Sequence, residues 1–143
     1  MHRSLISSGL AGLALATFIG SGAIAETVTY KATMNAQTEV PPNESKGAGT
    51  AEITYDTTTK MLTWTVTFSD LSGPATAAHF HGPAEAGKNA GVAVLIGNNP
   101  TSPAKGTATL TDAQAADLAG GRWYVNVHTG ANRGGEIRGQ VAK

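Results

Sequence analysis

Residues 62–69 constrain the fold more than any other part of the chain. Leu62, Trp64, Val66 and Phe68 alternate with Thr63, Thr65, Thr67 and Ser69. Side chains alternate in this way on an extended strand, so one face is apolar and the other is rich in hydroxyls. Such a strand is buried on one side and wet on the other. Just upstream, Ala51, Ile53 and Tyr55 alternate with Glu52, Thr54 and Asp56. The linking segment Asp56–Lys60 reads as a turn, which makes residues 49–69 a hairpin. Further candidates at 27–34, 75–81, 92–96, 105–110, 122–128 and 135–141 bring the expected number of strands to about eight. Gly, Pro and Asn clusters such as Pro41-Pro42-Asn43, Gly82-Pro83 and Gly130 to Gly135 punctuate the gaps. Only residues 111–119 read as a helix, with Thr111 as its N-cap and Gly120-Gly121 ending it. One short helix among so many strands predicts an all-β Greek-key sandwich or barrel. Its expected core holds Ile53, Leu62, Trp64, Val66, Phe80, Trp123, Val125 and Val127.

The first 25 residues stand apart from this pattern. A charged start at His2-Arg3, an apolar run from Leu5 to Ile24 and the small-x-small ending Ala23-Ile24-Ala25 have the layout of a secretory signal peptide. The alternative is an uncleaved membrane anchor. Cleavage after Ala25 leaves 118 residues, 26–143, of a size expected for one domain. Without Arg3, nine Lys and Arg face ten Asp and Glu, a formal charge of −1. That balance argues against nucleic acid or an anionic membrane surface as partner. The chain has no cysteine, which excludes disulfides, thiolate metal sites and Cys nucleophiles. The expected location is exported, periplasmic or extracellular, with no membrane attachment once the leader is gone.

The histidines carry the functional signal. His79 and His81 sit two apart in a strand, so their imidazoles share one face while Phe80 points to the other. His128 ends a strand in which Trp123, Val125 and Val127 form the apolar face, leaving Tyr124, Asn126 and His128 on the far side. All three histidines therefore fall on the outer face near strand ends, and convergence on one metal ion is expected. Unrelated surface histidines are the alternative. Imidazoles without thiolate, in an exported chain, favour copper first and zinc second. Binding is then expected to fade as pH drops through the imidazole pKa of about 6.5.

Tyr124 and Asn126 are candidates to support a ligating imidazole through an outer hydrogen bond, the alternative being a solvated sheet face. Glu136 and Arg138 share a strand face and read as an exposed ion pair of little energetic weight. Glu39-Val40-Pro41-Pro42 reads either as an interaction segment or as the stop of a sheet edge. Neither a nucleophile elbow nor a phosphate-binding Gly loop before a helix is present.

Three motifs together resemble the CHRD domain, named from chordin and found alone in many exported bacterial proteins. They are Tyr30-Lys31-Ala32 with Glu39-Val40-Pro41-Pro42, Ala78-His79-Phe80-His81-Gly82-Pro83-Ala84, and Gly134-Gly135-Glu136-Ile137-Arg138-Gly139, spanning about residues 28–141. More distantly, His79-Phe80-His81 and Val125-Asn126-Val127-His128 with its following Gly-rich loop are similar to Cu/Zn superoxide dismutase. That resemblance implies His79, His81 and His128 as copper ligands and Arg133 as an anion guide. The bridging histidine, the zinc-loop histidines and the disulfide of that family are absent, so what it implies is the sandwich and a copper-only site. The expectation is an exported protein binding one copper ion for storage, delivery or protection. The alternatives are a dismutase-like redox enzyme at the same copper and a metal-free extracellular binding module. A homodimer or a protein partner is left open.

Overall fold

The computed structural model describes residues 20–22 and 24–143, so the expected leader of residues 1–25 lies for the most part outside the described residues. Eight strands and one helix follow in the order β1 (Thr27–Asn35), β2 (Ala48–Asp56), β3 (Met61–Ser69), β4 (Ala75–His81), β5 (Val92–Asn98), β6 (Ala104–Thr109), α1 (Asp112–Ala119), β7 (Tyr124–Thr129) and β8 (Ile137–Gln140). All pairings are antiparallel, in the order β5-β4-β7-β8-β1-β2-β3-β6. The two end strands, β5 and β6, approach each other, so the sheet curls into a nearly closed barrel or sandwich. This is the all-β architecture that the alternation predicts.

The hairpin of β2 and β3 keeps a regular register from Ala48↔Ser69 to Tyr55↔Leu62, which places Ile53 opposite Trp64 on the apolar face. All eight expected core residues are buried, Leu62, Val66, Phe80, Val125 and Val127 completely. Phe80 links the halves of the core. It meets Trp64 edge-on at 5.5 Å and leans on Trp123 at 5.8 Å, geometries that aromatic pairs favour. The helix begins at Thr111 with a reciprocal cap: Thr111 Oγ1 accepts from Gln114 N–H and Gln114 Oε1 accepts from Thr111 N–H. Gln114 also donates to the Ala93 carbonyl, tying the helix to β5.

The outer face of β4, β7 and β8 departs from expectation. It is covered by the segments 36–47 and 82–91 rather than open to water. Tyr124 and Asn126 are 3% and 2% exposed although they point away from the core. Glu136 and Arg138, expected as an exposed pair, are 0% and 2% exposed and bind different partners. Glu136 accepts from Ser45 Oγ, Ser72 N–H and Ser72 Oγ, closing two loops together. Arg138 donates to Asn89 Oδ1 and to the Lys88 carbonyl, holding the 82–91 loop down. Period-two alternation separates core from non-core faces; it carries no information about a loop that later folds across the second face.

Candidate metal centre

The centre sits on the covered face, where β4 lies beside β7. Antiparallel register sets His79 opposite Asn126, His81 opposite Tyr124 and Ala77 opposite His128. His79 therefore faces Asn126 directly and His81 faces Tyr124, while His128 lies two residues beyond Asn126 on the same face of β7. Ring centroids are 4.9 Å apart for His79 and His128, 5.4 Å for His79 and His81, and 6.2 Å for His81 and His128. One nitrogen from each ring lies within 4.8 Å of the others. The convergence expected from strand parity is thus present, and it is partly enclosed: His81 is 8% exposed, while His79 and His128 are half-buried.

Hydrogen bonds to backbone carbonyls assign the lone-pair nitrogens of two of the rings. His128 Nδ1–H donates to the Arg133 carbonyl at 2.8 Å, leaving Nε2 with its lone pair. His81 Nδ1–H donates to the Ala90 carbonyl at 3.0 Å, which leaves the lone pair on Nε2, the nitrogen that faces Asn126. His79 Nδ1 lies 3.0 Å from His128 Nε2. Backbone carbonyls on the far nitrogens are the outer contacts that fix tautomer and orientation in histidine metal sites. Metal–nitrogen bonds of about 2.0–2.1 Å span at most about 4.2 Å between two ligands, so a spacing of 4.8 Å must close by at least about 0.6 Å on binding.

The surroundings of His81 hold an incomplete chain of hydrogen bonds. Its Nε2 lies 3.0 Å from Asn126 Oδ1, while Asn126 Nδ2–H donates to Glu39 Oε1 at 3.3 Å. With His81 neutral, a lone pair faces an amide oxygen. Turning the amide over moves the conflict to the other end, where the oxygen would face the Glu39 carboxylate. Either way the buried chain His81–Asn126–Glu39 lacks one positive charge, and unpaired buried acceptors are costly. A proton on the chain completes it as it stands, whereas a metal ion about 2.0 Å from Nε2 requires the Asn126 amide to turn aside.

Burial also suits these rings to ligation. Loss of solvent, helped by the neighbouring His128 and His81, pulls the His79 imidazole down from its usual value to about 4. Burial likewise lowers His81, opposed by its contacts to Ala90 and Asn126. Both rings stay neutral further into acid than a free imidazole, so metal binding should persist below the window near pH 6.5 that composition alone implies. The same shift has a consequence for the metal-free protein. A depressed folded pKa means that the unfolded chain binds more protons between pH 6.5 and about 4. Stability should therefore fall as pH drops through that window, and urea midpoints of metal-free protein at pH 7 and pH 5 check it. In His79→Ala this part of the loss should disappear.

Of the outer residues singled out in the sequence, Asn126 bonds His81 directly. Tyr124 stacks on it at 4.7 Å and 5°, and exchanges hydrogen bonds with Ala90, the residue whose carbonyl holds His81. Arg133 is exposed; it holds His128 through its backbone carbonyl, and it lines a groove of about 380 Å³ together with Glu39, Pro41, Pro42 and Gly135. Sequence reasoning missed Glu39 and Arg138. Glu39, 4% exposed, comes from the Glu-Val-Pro-Pro segment, whose two prolines remain exposed. An acid placed between Thr38 and Val40-Pro41-Pro42, in a segment with few other charges, was the available signal.

Fold and site together describe a small antiparallel β domain with a histidine cluster on its covered outer face. The CHRD domain matches residues 30–141, and the chain belongs to that family. Comparison with curated proteins and with solved structures found no match. Among the described residues, no helix is long and apolar enough to cross a membrane.

Proposed function

We propose that this is an exported metal-binding protein that holds one copper ion through His79, His81 and His128, for storage, delivery or protection. The observation that carries the reading is the convergence of one nitrogen from each of three imidazoles to within 4.8 Å of one another on a partly enclosed face. Three imidazoles without thiolate favour copper, with zinc as the second choice. Copper bound there would supply a centre able to change oxidation state. The chain itself supplies preoriented imidazoles, carbonyls that fix two of them, and a cover that limits solvent. The leader-like segment at residues 1–25 supports export.

Titration of the purified, metal-free protein tests the reading. One equivalent of copper should bind per chain, with zinc bound more weakly. Absence of any binding at neutral pH would return the cluster to a hydrogen-bonded surface feature and favour a metal-free binding module. A superoxide assay on the loaded protein separates carrier from enzyme. Turnover should lie well below the diffusional ceiling of roughly 10⁹ M⁻¹s⁻¹, and Arg133→Ala should leave copper affinity almost unchanged. A rate near that ceiling, falling with salt and with Arg133→Ala, would make the protein a dismutase.

A further inference from the structure

Two buried side chains of opposite charge each stand one residue away from His81. Arg138, 2% exposed, places its guanidinium 3.4 Å over the centroid of the Tyr124 ring, and that ring stacks on His81 at 4.7 Å. Its hydrogen-bond partners are neutral, Asn89 Oδ1 at 2.8 Å and the Lys88 carbonyl. The ion pairs among the described residues are Lys60–Asp112 and Arg122–Asp117, so no carboxylate lies within ion-pair distance of Arg138. Glu39 lines the same groove and feels the Arg138 charge without bonding it, so the two buried charges partly offset each other. On the other side, the Glu39 carboxylate accepts from Asn126 Nδ2–H at 3.3 Å and from Val40 N–H at 3.2 Å. Asn126 in turn contacts His81 Nε2.

We propose that Arg138, acting through the Tyr124 ring, and Glu39, acting through Asn126, are opposed positioning residues that set which charge state of a bound ion the site prefers. The inference rests on the metal-binding reading above. Coulomb's law gives the signs. A fixed positive charge penalises a divalent ion twice as much as a monovalent one, so Arg138 favours Cu(I). A fixed negative charge rewards the divalent ion twice as much, so Glu39 favours Cu(II). The two effects offset in the wild-type protein, and removing either one unmasks the other. A purely structural role has no such sign. Loss of packing around His81 would weaken both oxidation states together.

The test is competitive titration of purified wild type, Arg138→Gln and Glu39→Gln with Cu(I) and with Cu(II) against chromophoric chelators. The Cu(I)-to-Cu(II) affinity ratio should fall about tenfold in Arg138→Gln, which is about 59 mV lower for a one-electron couple. It should rise by a similar factor in Glu39→Gln. Glu39→Gln keeps the shape and can still accept from Asn126, so it remains informative if Arg138→Gln fails to fold. Arg138→Lys, which keeps the charge, should hold the ratio near wild type. Shifts of the same sign in both Gln variants, or an unmoved ratio in Glu39→Gln, overturn the inference while leaving the copper reading in place. A wild-type protein that binds copper in neither state overturns both.

Discussion

Replacing His81 with alanine is expected to lower copper affinity by more than about 100-fold, beyond the 10–100-fold that loss of an outer contact typically costs. His79→Ala should be as damaging to binding, because either change leaves two imidazoles where the proposed site uses three. The two variants should nevertheless differ in stability. His81 is nearly enclosed, and its removal leaves a cavity beside the stacked Tyr124 ring and takes one of the two hydrogen bonds from the Ala90 carbonyl, which keeps the one from Tyr124 Oη. Loss of one such hydrogen bond costs about 0.5–1.5 kcal/mol, and the cavity adds to it. His79 is half-buried, and its hydrogen bond runs to His128, which keeps its own bond to Arg133. Thermal unfolding of the metal-free variants should therefore show a clear drop for His81→Ala and a small one for His79→Ala. Equal copper affinity in wild type and both variants would remove the ion from this location.

What the sequence discloses here and what it hides divide along a physical line. Strand positions, the hairpin register, the helix with its Thr111 cap and the buried apolar face follow from periodicity, which is local. The histidine convergence is also legible, because parity along two strands is local and the pairing of β4 with β7 then brings the rings together. The burial of Arg138 and Glu39 is different. It depends on segments 36–47 and 82–91 crossing a strand face that alternation alone marks as wet. A charged residue on such a face reads as solvated by default. Only the tertiary cover turns Glu136 into the acceptor that ties Ser45 to Ser72, and Arg138 into a buried cation stacked on Tyr124. The resemblance of the Gly-Gly-Glu-Ile-Arg-Gly run to the CHRD domain marks those residues as belonging to a motif without saying what they do. The structure supplies the reason in distances: the motif closes the face on which the metal centre sits.

Within that motif, two adjacent glycines should respond to the same substitution in opposite ways. Gly135 has φ +133°, a conformation that L side chains rarely adopt, and a Cβ added there would lie 2.0 Å from Glu39 Oε1 and 2.7 Å from Asn126 Nδ2. The missing side chain is the space in which the buried carboxylate meets the amide that contacts His81. Gly135→Ala must therefore bear backbone strain of about 1–3 kcal/mol and also displace a buried carboxylate from its donor, at about 1–3 kcal/mol more. A combined loss of roughly 3 kcal/mol or more is expected, lowering the unfolding temperature by roughly 10 °C for a domain of this size. Gly134 has no heavy atom within 4 Å of an added Cβ and no positive φ. Gly134→Ala should change stability by less than about 0.5 kcal/mol, as ordinary surface substitutions do. Copper titration extends the contrast from stability to function. Gly135→Ala protein that remains folded at low temperature should bind copper less tightly, because Asn126 loses the anchor that orients it toward His81, whereas Gly134→Ala should bind like wild type. Equal stability and equal copper affinity in the two variants would mean that Glu39 is not seated under the Gly135 backbone, and the route from Glu39 through Asn126 to His81 would fall with it.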